Sequence, residues 1–368
     1  MKNFLAVFTV PLCIAIGFVI STTAVADNKS GHMGKQLVVQ RDVDTFAVLP
    51  QGVRLPEGIT ANPANGDIYV GTFDSPSTLL RYDRRGRLVS SLELGPAPSL
   101  GLEFDVIDHK VYITSVGDFT GIAGVESKVQ RVNADLSGLE DVAVIPGIGA
   151  PGPRTVGNPD GSADTITFGS GARVPNSMTF DTDGNLYVSD SFQGAIFKIT
   201  NAASCAPCAV ETFSQDPLLA TPGFPPFGAN GLAFNGDEST LLIANTGDDR
   251  ILSLDVVSKE VTVFAESING ADGIATDKHG LLWVAANQAD EIVALNANGK
   301  VVAVLGEFKG IRNNGTPKGL LFPASLVIVG ENIFVTNLAL ALTGVAGDEP
   351  EEDVTSWTLS RIKLPNHR

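Results

Sequence analysis

A pattern recurs six times along the chain: a short apolar segment, an Asp/Asn/Gly turn, and an alternating strand centred on an aromatic residue or leucine. The copies are Glu57-Gly-Ile-Thr to Asp67-Ile-Tyr-Val, Leu100-Gly-Leu-Glu-Phe to Lys110-Val-Tyr-Ile, and Asn176-Ser-Met-Thr-Phe to Asn185-Leu-Tyr-Val. Three more follow: Asn230-Gly-Leu-Ala-Phe to Leu241-Leu-Ile, Asp272-Gly-Ile-Ala-Thr to Leu282-Trp-Val, and Ala324-Ser-Leu-Val-Ile to Ile333-Phe-Val. The separation from the first residue of each copy to its central aromatic or leucine is 12, 12, 11, 12, 11 and 10 residues. So constant a spacing marks an internal repeat, and a repeat dictates architecture before any single residue does.

Each copy continues into a third alternating strand: Leu79-Leu-Arg-Tyr, Val129-Gln-Arg-Val, Ala195-Ile-Phe-Lys-Ile, Arg250-Ile-Leu-Ser-Leu, Glu291-Ile-Val-Ala-Leu and Ser360-Arg-Ile-Lys-Leu. Period-2 strands separated by turn residues, with almost no helical periodicity, predict an all-β fold. Repeats of this length fit a six-bladed β-propeller with four-stranded blades, which leaves only short sheet edges. The ring is expected over residues 45–368, after an N-terminal extension at 27–44. Its closure would come from Thr45-Phe-Ala-Val-Leu pairing into the blade that ends at Leu364. Two Gly/Pro-rich inserts, residues 146–173 and 205–226, are expected to be loops that shape a pocket mouth.

Residues 1–26 read as a signal peptide: one charge at Lys2, an apolar run over 4–20, and Ala24-Val25-Ala26 as the small-x-small cleavage site. That predicts a periplasmic or secreted protein, with a retained N-terminal anchor as the competing reading. The apolar stretch at 320–346 is interrupted by Glu331, Asn332 and Asn337, which suits short buried strands and predicts no membrane contact beyond the leader. The net charge of −16 becomes −17 once Lys2 is removed, which argues against nucleic-acid partners and favours a cation or a small neutral ligand. Cys13 leaves with the leader, and Cys205-Ala-Pro-Cys208 remains as a pair expected to form a local disulfide.

Aligned by the repeat, the six leading residues are Glu57, Leu100, Asn176, Asn230, Asp272 and Ala324. Innermost strands of a propeller line its axis, so these six positions converge there. Two carboxylates and two amides, without Cys or His, are hard oxygen donors suited to Ca2+, with Mg2+, Mn2+ or Zn2+ as alternatives. Two buried carboxylates without a cation would repel each other and be poorly solvated. The competing reading, that Asn-Gly and Asp-Gly are turn formers, accounts for Asn230 and Asp272 but not for Glu57 or Asn176.

The segments Pro56-Glu57-Gly58, Pro175-Asn176, Ala229-Asn230-Gly231-Leu232-Ala233-Phe234 and Ala271-Asp272-Gly273-Ile274-Ala275 with Trp283-Val284-Ala285 resemble those of the senescence marker protein/gluconolactonase/luciferin-regenerating family. That family is related to paraoxonase-like lactonases and strictosidine-synthase-like proteins. The resemblance implies a six-bladed propeller with a divalent ion, usually Ca2+, held by Glu57, Asn176, Asn230 and Asp272. It further implies hydrolysis of a lactone or similar small ester, with the ion polarising the carbonyl and Asp272 as the base. Arg173, three residues before Asn176, is a weak candidate for contact with a substrate oxygen. Ser99-Leu100-Gly101-Leu102 stands where paraoxonase-like lactonases carry a catalytic histidine, and His109 and His279 fall in turns. Gly58, Ser177, Gly231 and Gly273 follow the four oxygen donors, so a second calcium of the paraoxonase type is not expected. A non-catalytic NHL-like propeller that binds a protein or polymer around a structural metal is the alternative.

Overall fold

The structure, a computed structural model, describes residues 37–365. The expected leader and residues 27–36 of the expected extension lie outside the described residues.

Six four-stranded antiparallel sheets follow one another along the chain. Blade 1 comprises Pro56–Ala61, Ile68–Thr72, Ser77–Tyr82 and Leu88–Gly95; blade 2, Ser99–Asp105, Lys110–Ser115, Lys128–Asn133 and Glu140–Val144. Blade 3 comprises Pro175–Phe180, Leu186–Asp190, Ala195–Ile199 and Glu211–Gln215; blade 4, Ala229–Phe234, Thr240–Asn245, Arg250–Asp255 and Val261–Glu266. Blade 5 comprises Ala271–Thr276, Leu282–Ala286, Glu291–Leu295 and Val301–Leu305. Blade 6 takes Pro323–Val329, Asn332–Asn337 and Thr358–Lys363 from the C-terminal part of the chain and its outermost strand, Asp44–Val48, from the N-terminal part. The protein is a six-bladed β-propeller closed by an early strand, in the register Asp44 opposite Arg361 and Val48 opposite Thr358. Part of the expected extension is also ordered: Val38–Gln40 pairs in parallel with Val301–Leu305 and widens blade 5 to five strands.

The second strand of each blade is buried on both faces because neighbouring blades cover it on either side. Ile68-Tyr69-Val70, Val111-Tyr112-Ile113 and Leu282-Trp283-Val284 are accordingly continuous apolar runs rather than alternating ones. The polar end of the buried ring is returned to the preceding turn. Trp283 Nε1 donates to Asp277 Oδ2 (2.9 Å), Tyr187 OH to Asp181 Oδ2 (3.2 Å) and Tyr112 OH to Asp108 Oδ2 (3.1 Å). The other oxygen of Asp277 accepts the backbone N–H of His279 and Leu281, so one side chain folds the turn and satisfies the buried indole. This double use underlies the recurring Asp-turn-aromatic pattern of the sequence.

Every first strand is irregular at the same place. The register breaks between Pro56 and Ile59, Ser99 and Leu102, Pro175 and Met178, Ala229 and Leu232, Ala271 and Ile274, and Pro323 and Leu326. The two residues inside each break are the leading residue of the repeat and its successor, so all six leading residues sit in β-bulges, which re-aim side chains. Asn230-Gly231 and Asp272-Gly273 therefore lie within strands, not in turns. The second bulge residue is small because the next blade approaches closely. A Cβ on Gly101 would stand 2.0 Å from the Asn176 carbonyl oxygen, and one on Gly231 would stand 2.3 Å from that of Asp272.

Among the described residues no helix is long and apolar enough to cross a membrane. The apolar stretch at 320–346 contains the strands Pro323–Val329 and Asn332–Asn337.

Candidate functional site

The bulges bring Glu57, Asn176, Asn230 and Asp272 together at the floor of one recess, beside Leu100. Each of the four is at most 5% exposed. A second chamber is lined by Glu57, Asn176 and Asn230 as well, together with Ile59, Leu102 and Glu103. The ring thus forms a partition across the channel.

Three ring side chains are braced from the end of their own blade's second strand or the residues just after it. Asn176 Nδ2 donates to Ser191 Oγ (3.1 Å) and Asn230 Nδ2 to Thr246 Oγ1 (3.0 Å), which leaves the amide oxygens as the electron-pair donors. Asn287 Nδ2 donates to Asp272 Oδ2 (2.9 Å). The braces follow their ring residues by 15, 16 and 15 positions, a spacing as regular as the repeat itself and legible in the sequence once the ring is known. Glu57 has no such brace: its Oε2 is buried without a hydrogen-bond partner.

A second set of hydroxyls fixes the ring's backbone. Thr114 Oγ1 donates to the Asn176 carbonyl (2.8 Å), Ser189 Oγ to that of Asn230 (2.7 Å) and Thr336 Oγ1 to that of Glu57 (2.7 Å), each from the preceding blade. The same hydroxyls accept the bulge N–H of Gly101, Ser177 and Ser325 in their own blades. Adjacent blades are therefore stitched together at the depth of the site.

Burial pushes the Glu57 carboxyl well above the usual carboxylate range, and the charge of Asp272 pushes it further. Asp272 is raised to about 7 by burial, against the opposing hydrogen bonds from Asn287 and Asn230. Two buried carboxyls, two amide oxygens and one unpartnered carboxylate oxygen form a set that a hard divalent ion would satisfy, relieving both the repulsion and the missing partner.

Arg173 is not among the residues lining the recess. Its guanidinium is committed to Asp118, with Nη2 at 2.7 Å from Oδ1, and its backbone N–H donates to the same carboxylate (2.8 Å). His109 and His279 lie exposed in turns. Cys205 and Cys208 form a disulfide in the insert that follows blade 3's third strand. Glu103, on blade 2's first strand, lines the second chamber, and burial together with the nearby Asp105 charge raises it to about 8.

Residues 227–306, which include Asn230, Asp272, Thr246 and Asn287, match the profile of the SMP-30/Gluconolactonase/LRE-like region. The match covers that segment of the chain. Solved structures of the same fold extend the likeness beyond this SMP-30/gluconolactonase/LRE-like segment. A calcium-binding regucalcin from Agrobacterium tumefaciens is 15% identical with a TM-score of 0.58, covering 89% of this chain and 97% of its own. A gluconolactonase from Xanthomonas campestris is 14% identical with a TM-score of 0.54, covering 91% and 99%. A virginiamycin B lyase from Staphylococcus aureus is 15% identical with a TM-score of 0.53, covering 88% and 99%. At these identities the likeness is one of fold. No curated protein matches the sequence.

Proposed function

We propose that this protein is a divalent-metal-dependent hydrolase of a lactone or similar small ester, with Ca2+ as the resident ion. The observation that carries this reading is the convergence of two buried carboxyls and two amides on the axis, with Glu57 Oε2 unpartnered. The match of residues 227–306 to a family named for gluconolactonase supports the reaction class. So does the shared fold of a calcium-binding regucalcin and a gluconolactonase.

Glu57, Asn176, Asn230 and Asp272 would hold the ion. When bound, it supplies Lewis acidity that polarises an ester carbonyl and offsets charge developing on its oxygen. The protein's own contribution is positioning and proton transfer. Asn287 holds Oδ2 of Asp272 and so fixes the plane of the carboxyl, leaving Oδ1 to take a proton from the attacking water. Ser191 and Thr246 keep the two amides from rotating. The two carboxyls share a buried, low-dielectric floor, which strengthens each electrostatic contact with the reacting carbonyl.

A signal peptide over residues 1–26 and a periplasmic or secreted location complete the proposal. The Cys205–Cys208 disulfide supports it, because such bonds persist in oxidising compartments.

The test is metal content of protein purified without added salts, followed by lactone hydrolysis with and without a chelator for the wild type and Asp272→Asn. A stoichiometric divalent ion, activity abolished by chelation and restored by calcium, and an inactive variant are expected. Unchanged thermal stability on calcium addition, together with no hydrolysis of any lactone, would overturn the reading.

A further inference from the structure

Above the ring, the recess is walled by Phe73, Leu100, Phe227, Phe322, Leu340 and Leu342. Apart from the ring, the polar side chains at its surface are Thr246 and Asn287, and both sit at the floor against ring residues. Thr246 Oγ1 accepts from Asn230 and donates to the Ala271 carbonyl (2.7 Å), while Asn287 donates to Asp272. Asn287 Oδ1 is buried without a partner, so the uncommitted side-chain acceptor outside the ring lies down at the floor, and the wall above it is apolar.

The division has a direction. Asn176, Asn230, Asp272, Thr246 and Asn287 come from blades 3, 4 and 5, whereas Phe73, Leu100 and Phe322 stand on or beside blades 1, 2 and 6. Leu100 and Ala324, the two apolar leading residues, belong to blades 2 and 6 and so flank the blade that carries Glu57. The apolar wall thus stands mostly over blades 6, 1 and 2, with Glu57 the charged group beneath it and Phe227 completing it from the segment before blade 4.

The apolar wall is preformed. The loop at 338–342 is pinned by Trp357 Nε1 donating to the Leu338 carbonyl (2.9 Å) and by Leu342 N donating to Glu349 Oε2 (2.7 Å). Phe73 and Phe227 are backed by Phe119, with ring centroids at 6.2 and 6.4 Å, and Phe192 lies 5.6 Å from Phe119. Pro225 of the second insert and Phe227 just after it form part of this wall.

From this arrangement, and resting on the hydrolase reading above, we infer that the substrate is a lactone or ester bearing an alkyl group, and that polyhydroxylated sugar lactones are poor substrates. The reacting carbonyl sits over the ring and the alkyl group lies against blades 6, 1 and 2. Each hydroxyl of a sugar lactone turned toward this wall would lose its water without gaining a partner. Each methylene would leave water for an apolar surface, which is about fourfold in transition-state binding per group until the recess is filled.

The experiment compares four six-membered lactones on the calcium-loaded full chain: δ-valerolactone, δ-octalactone, δ-decalactone and glucono-δ-lactone. Expected is a kcat/KM that climbs with alkyl length and is lowest for glucono-δ-lactone, with Leu340→Asn reducing the δ-decalactone to δ-valerolactone ratio roughly tenfold. Turnover of glucono-δ-lactone as fast as δ-decalactone overturns the inference while leaving the hydrolase reading intact. If no lactone is hydrolysed, the hydrolase reading fails and calorimetric titration decides the ligand class. Saturable binding of δ-decalactone, weakened by Leu340→Asn and absent for glucono-δ-lactone, supports an apolar ligand; no binding of δ-decalactone overturns it.

Discussion

Thr336 Oγ1 donates a hydrogen bond to the main-chain carbonyl of Glu57 across 2.7 Å, although 279 residues separate the two. The last blade thereby holds the backbone of the first ring residue, and the same oxygen accepts from Ser325 N. Replacing Thr336 with the near-isosteric Val strands a buried carbonyl and a buried N–H. The expected cost is about 1–3 kcal/mol of stability. Denaturant unfolding measures it, and calcium titration of the same variant shows whether the Glu57 backbone must be held for the ion to bind.

Glu57→Gln separates the effects of ion and charge. Without metal the substitution removes a buried carboxyl raised by its neighbour Asp272, so the metal-free variant is expected to melt at a higher temperature than the wild type. With calcium the order reverses, because the variant loses a charged ligand and with it the stabilisation that binding confers. Paired melting curves with calcium and with chelator read both signs; a variant with the wild-type calcium increment would remove Glu57 from the ligand set.

Asn287 is a positioning residue for Asp272. Outer partners of metal ligands are worth about 10–100-fold in affinity, so Asn287→Ala is expected to weaken calcium binding by that range. Its melting temperature without metal should change far less. Titration calorimetry checks the affinity. A purely structural role would instead lower the metal-free melting temperature and leave the affinity unchanged.

Glu103 predicts a pH dependence in addition to that of the ring carboxyls. Its value in the folded protein, about 8, lies above the ordinary 4.5, so the folded state binds this proton more tightly than the unfolded state does. Its contribution to stability is complete below about pH 4.5 and is lost as pH rises through about 8. Wild-type melting temperature should therefore fall between about pH 4.5 and 8, and Glu103→Gln should flatten that decline. Partial exposure to the channel moderates the size of the effect.

How much of this was legible in the sequence follows from burial. First and second strands of each blade are covered by neighbouring blades, so Ile68-Tyr69-Val70 and its counterparts announce themselves as apolar runs after an Asp or Asn turn. Outer strands such as Leu88–Gly95 carry no buried residue, and nothing in their pattern separates them from loop. The axial convergence of Glu57, Asn176, Asn230 and Asp272 could be read from repeat register alone. Ser191, Thr246 and Asn287 escaped because polar residues after a strand look like ordinary turn residues until the ring position 15 or 16 earlier gives them a purpose. Arg173 misled for the opposite reason: nearness in sequence to Asn176 carries no information about Asp118, its partner 55 residues away. The turn reading of Asn230-Gly231 failed because a bulge and a tight turn favour the same small residues.

Strand Asp44–Val48 completes blade 6 only by pairing with Thr358–Lys363. During synthesis it must wait, with its ladder groups unpaired, until nearly the whole described chain has been made. Such a wait places a long loop closure at the end of folding, which slows the process and prolongs exposure of pairing-competent edges. Loss of residues 358–363 would leave the facing edges of Asn332–Asn337 and Asp44–Val48 open, which the native blade pairs, so truncation there should cause aggregation rather than yield a slightly smaller propeller.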